Sequence, residues 1–246
     1  MKPSFLAAAA TAAVVLAFPA APAASAQVVP FQLDHFKCYL PLNAVPVPLS
    51  PIQFVDQFGV GNPLIGNIFR LCNPTRKVHN DQVTPIRWPD NHLMLQTMSP
   101  QPIINRRVKI RNQFGEQTLI TRDARILAVP TQKQPHPAPQ GLSHYACYAA
   151  EGPLQNVPVG LHDQFFNSNH QVGRPVLFCN PAQKWHNGQV SPVTNPVDHL
   201  TCYSMSRQPY SRAVDTRNQF GDGHLQTAFA DMLCVPSQKL AWEVID

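Results

Sequence analysis

The chain has few charged residues, few glycines and hardly any long apolar run. Charged residues make up only 13% of its 246 residues, and the net charge of +5 includes no basic run. This small net charge does not favour binding to nucleic acid. No segment of the sequence reaches the roughly 20 consecutive apolar residues that span a bilayer. Only 11 glycines stand against 26 prolines, which favours short strands and rigid turns over long helices. We expect an all-β protein with no nucleic-acid partner and no membrane span.

Signatures of catalysis are also missing. The sequence contains no Gly-x-Ser-x-Gly elbow, phosphate-binding loop, HExxH pair or dinucleotide-binding glycine pattern. Its 14 acidic residues are scattered, and no pair of them marks a glycosidase. We therefore predict no catalytic residue and no cofactor, and we lean against an enzyme while leaving the question open.

The N-terminus has the order of a secretory signal peptide. Lys2 precedes an apolar run from Phe5 to Phe18, and a Pro/Ala stretch then ends in the small residues 24–26. A basic start, a short apolar core and a small-residue cleavage site in this order direct export. We expect residues 1–26 to be removed and the mature protein to be secreted or periplasmic.

The rest of the chain consists of four copies of one unit. Each copy reads, with some departures, His-x-x-Cys-Tyr, then Asp/Asn-Gln-Phe-Gly, then Leu-Cys-x-Pro-x-x-Lys. Copies one and three share Asp before Gln-Phe and Cys-Asn-Pro at the end, whereas copies two and four share Asn and Val-Pro. This alternation indicates that a pair of units was duplicated. The units span residues 34–77, 91–133, 143–184 and 198–239.

We therefore predict two tandem β domains, residues 31–133 and 142–240, each a sandwich-like or barrel-like arrangement of two pseudo-symmetric units. The proline-rich segment 134–141 fits a stiff linker between them. The sequence leaves one alternative open, which is a single ring of all four units, similar to a four-bladed propeller.

The motifs themselves resemble a known family. In the first unit they read HFKCY from His35, DQFG from Asp56 and LCNPTRK ending at Lys77. In this order they resemble an uncharacterised family of repeated domains in exported bacterial proteins, a domain of unknown function. The resemblance covers nearly all of residues 27–246 and implies an exported repeat protein, with no activity, substrate or site attached.

All six cysteines fall at two positions of the unit. The second unit has Leu95 and Ala128 there, so both cysteines are missing together, as expected if the two positions form a disulfide in an oxidising compartment. The rival interpretation is a metal site, but His and Cys three residues apart on a strand point to opposite faces. We therefore predict no metal site. The predicted bridges lie within units: Cys38–Cys72, Cys147–Cys179 and Cys202–Cys234.

The Gln-Phe-Gly motif predicts a β-hairpin whose phenylalanine enters the core. In three units glycine follows the phenylalanine and should take a positive φ, whereas the third unit has Phe166 and then asparagines, which tolerate that conformation. The Asp or Asn before Gln should bond backbone groups near the turn. The expected turn glycines are Gly59, Gly115 and Gly221.

Two positions of the unit should be buried and polar. Asp56 and Asp163 lie on the apolar face of their strands, so they need partners, and Lys77, Lys184 or the repeated histidines are candidates. The repeated histidines share a face with the tyrosines of His-x-x-Cys-Tyr, and that face either packs against a second sheet or stacks on a sugar. We favour packing. These histidines are His35, His92, His144 and His199.

One polar element occurs once per pair of units. The pattern Lys-x-His-Asn-x-Gln-Val-x-Pro begins at Lys77 and at Lys184. It turns the chain between units, and as a loop on a rigid scaffold it is also the most suitable place for a binding site. The candidate binding residues are His79, Asn80, Gln82, His186, Asn187 and Gln189.

These observations favour an exported, non-catalytic binding or structural module of the cell exterior, with the partner left open between a glycan and an envelope protein. The alternative is a secreted hydrolase that acts on envelope or environmental polymers. In that alternative His79 and His186 are general bases, supported by Asp56 or Asp163.

Overall fold

The computed structural model describes residues 33–43 and 47–246, so the predicted signal peptide lies outside the described residues. All regular structure in the described residues is β-strand, and these residues form one compact unit. In chain order the strands are β1 (His35–Pro41), β2 (Ser50–Pro51), β3 (Gln53–Asp56), β4 (Gly59–Gly61), β5 (Leu64–His79), β6 (Gln82–Thr84), β7 (His92–Met98), β8 (Arg106–Asn112), β9 (Gly115–Lys133), β10 (His144–Glu151), β11 (Val157–His162), β12 (Asn167–His186), β13 (Gln189–Ser191), β14 (His199–Pro209), β15 (Ala213–Asn218) and β16 (Gly221–Val244).

Eight of these strands close into a ring. Each unit contributes a short strand that begins at the repeated histidine and a long strand that carries the repeated lysine. Antiparallel pairing runs in the order β1, β5, β7, β9, β10, β12, β14 and β16, and β16 pairs again with β1. Closure leaves these eight strands without a free edge between them.

A single ring of all four units is the alternative arrangement that the sequence left open, but strands of neighbouring units pair continuously around it, so it lacks the separate blades of a propeller. One pair of units supplies only four ring strands, so a half of the chain does not close a ring by itself. The strands on either side of segment 134–141, β9 and β10, pair directly with each other. Residues 31–133 and 142–240 are therefore two sequence repeats within one ring, and each of them contributes half of it.

Apolar side chains from all four units fill the ring interior. Phe36, Leu93, Tyr145 and Leu200, each following a repeated histidine, meet there with the side chains at both cysteine positions. The three predicted disulfides are confirmed: Cys38–Cys72, Cys147–Cys179 and Cys202–Cys234.

Each bridge joins residues that lie directly opposite each other on adjacent ring strands. In the second unit, Leu95 lies opposite Ala128 in the same register. Both of these side chains are buried in the interior cluster. A pair of apolar side chains therefore fills the space that a disulfide occupies in the other units.

Four hairpins, here called arms, wrap the outside of the ring. Each arm covers the next unit and pairs, near its tip, with the end of the long strand two units further on. Thus β3 pairs with β12, β8 with β16, β11 with β5 and β15 with β9. In arm 3, for example, Val159 and Leu161 pack with Leu233 and Val235 of the fourth unit. Arms 1 to 4 span residues 50–65, 106–121, 157–172 and 213–227.

The predicted turns at the arm tips are confirmed in three units. There a two-residue turn separates the Asp or Asn from its glycine. The tip of arm 3 is longer, because its strands pair up to His162 and Asn167. None of its described residues has a positive φ, so the expectation that an asparagine takes that conformation there is wrong. The turn glycines have φ of 136° at Gly59, 95° at Gly115 and 115° at Gly221.

Candidate functional site

A cavity of about 600 Å³ lies at one end of the ring, here called the open end. Its apolar walls come from every unit, through Phe69, Ile126, Leu177 and Met232. These four side chains belong to the interior cluster or pack against it. The cavity is therefore the mouth of the ring interior, which is a usual location for a ligand site in closed β structures.

Two ion pairs lie among the residues that line this cavity. Arg70 donates to both carboxylate oxygens of Asp231, at 2.9 and 2.8 Å, and both side chains are about nine-tenths buried. Because Arg70 lies on β5 and Asp231 on β16, the pair spans β1, which lies between these strands in the ring. The geometry closes part of the rim and satisfies both charges.

The second pair leaves one acceptor unused. Arg125 Nε donates to Asp123 Oδ2 at 2.9 Å, whereas Asp123 Oδ1 is buried and has no hydrogen-bond partner among the residues that the structure describes. A buried carboxylate oxygen without a donor is costly. Because Asp123 lines the cavity, rotation of its carboxyl group would bring this oxygen within reach of a hydroxyl or amine group on a molecule bound there.

A second set of polar sites lies beneath the arm tips, at the opposite end, here called the histidine end. Under arm 1, Asp56 accepts hydrogen bonds from Tyr148 Oη at 3.0 Å and from Asn180 Nδ2 at 3.1 Å. Burial raises the pKa of Asp56, against the opposing effect of the hydrogen bonds that Phe58 N, Asn180 and Tyr148 donate to it. Burial, followed by the charge of Asp56, raises the pKa of Tyr148.

The same arrangement recurs under arm 3. Asp163 accepts from Tyr39 Oη at 2.7 Å and from Asn73 Nδ2 at 3.1 Å. The partners of both carboxylates are thus a tyrosine and the Asn of Cys-Asn-Pro from the opposite unit. The expectation that Lys77 or Lys184 would fill this role is wrong, because these lysines lie under the tips of arms 2 and 4. None of the hydrogen bonds that these two carboxylates accept comes from a repeated histidine.

In the even units the arm tip carries an asparagine instead of the aspartate. Its partners on the opposite unit are hydroxyl groups instead of an asparagine side chain. Asn112 Nδ2 donates to Tyr203 Oη at 2.8 Å and to Ser237 Oγ at 3.1 Å. Asn218 Nδ2 donates to Thr131 Oγ1 at 3.2 Å. The odd-even alternation of the sequence is therefore a complementarity between each arm tip and the unit on which it docks.

The predicted capping of the turn is also confirmed. In every unit the Asp or Asn side chain accepts a hydrogen bond from the backbone N–H two residues later, at 2.7 to 3.1 Å. The same side chain thus holds its own turn with one atom and the opposite unit with the other.

The repeated histidines are buried, as packing requires, and at most 4% of the surface of each residue is exposed. Burial lowers their pKa values, and the nearby lysine of the same unit lowers them further. The pKa falls to about 3 at His35, His144 and His199, and to about 2 at His92. These imidazoles are neutral throughout the physiological range.

The repeated lysines lie against the phenylalanines of the arm tips. Each ammonium group lies 4.5 to 5.1 Å from the centre of the ring supplied by the next unit's arm. Burial lowers all four pKa values to about 8. The four lysines are Lys77, Lys133, Lys184 and Lys239.

The two polar loops form tight hairpins at the histidine end. Asn80 and Asp81, like Asn187 and Gly188, have positive φ, as a type I′ turn requires. The His79 and His186 rings lie 5.6 and 4.8 Å from Phe114 and Phe220 at the arm tips.

The remaining candidate residues of these loops are exposed: Asn80, Gln82, Asn187 and Gln189. The loops are remote from the cavity. Along β5, His79 lies nine residues beyond Arg70, which corresponds to about 30 Å of strand. The polar loops and the cavity are therefore separate candidate sites.

Three of the groups invoked for hydrolysis, namely His79, Asp56 and Asp163, have hydrogen-bond partners of their own. His79 Nδ1 lies 3.2 Å from the carbonyl oxygen of Pro158, and its Nε2 lies 3.3 Å from Asn80. Both carboxylate oxygens of Asp163 accept hydrogen bonds within their own cluster.

In the part of the chain that the structure describes, no group of three or more His, Cys, Asp or Glu side chains is arranged to hold a metal ion. No helix there is long and apolar enough to cross a membrane.

The fold and its cavity define the class of the protein. It is an all-β repeat protein whose four units close a single ring with a cavity at one end. The chain belongs to the family described as "Repeat of unknown function (DUF7450)", whose model matches residues 8–130 and 95–236. No curated protein and no solved structure matches the chain. The family assignment confirms an uncharacterised repeated domain and adds no activity.

Proposed function

We propose that the chain is an exported, non-catalytic binding module that holds a small, mainly apolar molecule in the open end of its ring. The observation that carries the proposal is the cavity, whose volume of about 600 Å³ falls within the roughly 300–1,000 Å³ of ligand pockets. All four units contribute to it, so it is a property of the complete ring.

The unused acceptor of Asp123 defines the ligand further. The apolar walls take an apolar body, and Asp123 Oδ1 accepts one hydrogen bond from a hydroxyl or amine group at the rim. A hydrogen bond to a charged group is worth about 1.5–3 kcal/mol, which corresponds to roughly 10–100-fold in affinity. A ligand with such a donor should therefore bind more tightly than the same molecule without it.

Export is supported by the three disulfides, because such bonds persist in oxidising compartments. A secreted or periplasmic location follows from the proposal. The absence of catalysis is supported by the partners of the charged groups near the cavity. Arg70 and Arg125 each pair with a carboxylate there, and the lysines with lowered pKa values lie under the arm tips.

Isothermal titration with 2-naphthol and with naphthalene tests the proposal on the full exported protein. We expect 2-naphthol to bind roughly 10–100-fold more tightly than naphthalene and Asp123→Asn to reduce that preference. Val176→Trp, in the cavity wall, should abolish binding of both compounds, whereas Val190→Trp, on the exposed face of β13, should not. Equal effects of the two tryptophans, or no binding by the unaltered protein, would refute the cavity as the site.

A second candidate function belongs to the polar loops, through His79, Asn80, Gln82 and their counterparts in the third unit. Each loop presents exposed amide groups beside an exposed valine, Val83 in one and Val190 in the other. This repeated surface suits a polymeric partner, either a glycan or an envelope protein. Binding to glycans, peptidoglycan or envelope proteins that is lost in His79→Ala with His186→Ala would support the loops. Turnover of a bound polymer would instead favour the secreted hydrolase.

A further inference from the structure

The pseudo-symmetry of the four units is broken at one buried position. Two residues after the repeated histidine, the first unit has Lys37, where the other units have Met94, Ala146 and Thr201. Lys37 is fully buried and points outward from the ring, toward the tip of arm 3. A buried lysine in one unit alone does not serve a need that all units share, so it calls for a function specific to this site.

Lys37 lies against the carboxyl group of Asp163. Its Nζ is 3.8 Å from Asp163 Oδ1, both side chains are fully buried, and Nζ donates to the carbonyl oxygen of Phe166 at 2.9 Å. Aromatic rings enclose the amine, with Nζ 3.6 Å from the centre of the Phe166 ring. Tyr39 stacks edge-on against Phe165 on the other side of the site. The two groups therefore meet in a dry, aromatic environment.

We propose that Lys37 and Asp163 condense to form an intramolecular isopeptide bond. The ion pair first becomes a neutral amine and a neutral carboxylic acid by transfer of one proton from Nζ to the carboxylate. The amine then attacks Cγ of Asp163, a bond forms between Nζ and Cγ, and the bond from Cγ to Oδ2 breaks. Oδ2 leaves as water with two protons, both originally on Nζ, so the balance is one amide and one water with no oxidant or reductant.

The hydrogen bonds of Asp163 suit each stage of this reaction. Oδ1 accepts from the backbone N–H groups of Phe165 and Phe166, both at 3.1 Å, and these donors stabilise the negative charge that develops on Oδ1 when the amine attacks. Tyr39 Oη donates to Oδ2 at 2.7 Å, so it can pass a proton to the leaving oxygen and recover one from Nζ.

The amine is prepared for attack by its surroundings. Burial, which outweighs the nearby Asp163 charge, lowers the pKa of Lys37 to about 8, so a neutral fraction exists near neutral pH. A small movement of the flexible lysine brings Nζ to the ~3–3.5 Å at which reacting atoms meet. Fixing both groups within one fold replaces an encounter in solution, which strongly favours condensation.

The opposite site provides a matched control within the same molecule. Asp56 has the same partners as Asp163, namely a backbone N–H, the tyrosine Tyr148 and the asparagine Asn180. At the position of Lys37, however, that site has Ala146. The structure thus supplies two nearly identical carboxyl environments, of which only one contains the additional lysine.

Mass spectrometry of the exported protein tests the bond. After reduction of the three disulfides, we expect the mature protein to be lighter than the mass of its mature sequence by one water molecule, and a tryptic digest to contain one joined species that carries both Lys37 and Asp163. Lys37→Met should restore the full mass and separate the two peptides, and this variant should fold because the second unit already has Met94. Asp56→Asn, the matched control, should keep the joined species.

Full mass and separate peptides in the unaltered protein would overturn the proposal, as would a joined species that persists in Lys37→Met. Tyr39→Phe tests the role assigned to the phenol, since it keeps both reacting groups. In this variant the joined species should accumulate more slowly during refolding, and an unchanged rate would remove Tyr39 from the reaction.

Discussion

Lowering the pH from 7 to 5 should destabilise this protein strongly, because four buried histidines must remain neutral in the folded ring. Their pKa values lie at about 2 to 3 in the folded state, against an ordinary 6.5. Below pH 6.5 the unfolded chain therefore binds protons that the folded chain does not. The free energy of unfolding must fall as the pH falls, from 6.5 down to about 3.

The magnitude follows from this difference in proton binding. Each histidine with an unfolded pKa of 6.5 costs about 2 kcal/mol of stability between pH 7 and pH 5. Four of them amount to about 8 kcal/mol, which is comparable to the roughly 5–15 kcal/mol of total stability in a typical domain. Near pH 5 the slope should approach about 5 kcal/mol per pH unit.

Other groups modify this slope in known directions. Burial raises the pKa values of Asp34 and Asp56, so the folded state holds extra protons at low pH and part of the loss is offset. Burial lowers the pKa values of His170 and His186, which adds to the loss. The buried lysines titrate near pH 8 and do not contribute between pH 5 and 7.

Urea unfolding followed by tryptophan fluorescence at several pH values measures the slope. His92→Leu should reduce the slope by about one quarter, because it removes one of four equivalent protons. It should leave no polar group unpaired, since neither ring nitrogen of His92 has a hydrogen-bond partner among the described residues. The control is His224→Leu, at a side chain that is 67% exposed. The reasoning would be refuted if the free energy of unfolding of the unaltered protein changed with pH no more steeply than a single histidine predicts. Equal slopes in the two variants would refute it as well.

Three further predictions concern the architecture. Replacing Cys202 by Leu together with Cys234 by Ala should lower the free energy of unfolding in urea less than either replacement alone, because a single replacement leaves a free thiol. The loss of the bridge, which closes a separation of 32 residues, should cost at most about 3.5–4 kcal/mol. Gly115→Ala should cost about 1–2 kcal/mol in the same assay through its positive φ, since no atom of the described residues lies within 4 Å of the added methyl group. After cleavage within 134–141, both fragments should co-elute in size-exclusion chromatography and separate only in denaturant; two independently stable fragments would contradict the ring.

The features that the sequence predicted correctly depend on neighbours within one unit. The joint absence of cysteines at Leu95 and Ala128 identified the bridges, because both ends of each bridge belong to the same repeat. The turn at Gly115 and its capping by Asn112 were predictable for the same reason. Their geometry is decided within a few residues of chain.

The docking of the arms was not predictable in this way. Four similar arm tips can in principle pair with their own unit, the next one or the one after, and local patterns do not distinguish these choices. The alternation of Asp and Asn did carry the information, since Asp163 requires Asn73 whereas Asn112 requires Ser237. This alternation can be interpreted only when it is known that units two apart in the chain contact each other.

The cavity was missed for a different reason. Its lining includes the position three residues before the second cysteine position, where the units have Phe69, Arg125, Val176 and Asp231. These residues differ in every unit, so a search for repeated residues passes over them. The signal that was available is this variability within an otherwise regular strand motif.

The docking of each arm two units away has a consequence for the ancestry of the molecule. In a chain of only two units, the unit two positions further on does not exist, but the same unit of a second chain takes its place. Two such chains satisfy every arm contact of the present ring as a symmetric pair. The four-unit protein therefore has the geometry of two such chains joined end to end. Joining them removes the need for two chains to meet, and it allows the two halves to differ, as they do at position 37, where only the first unit has a lysine.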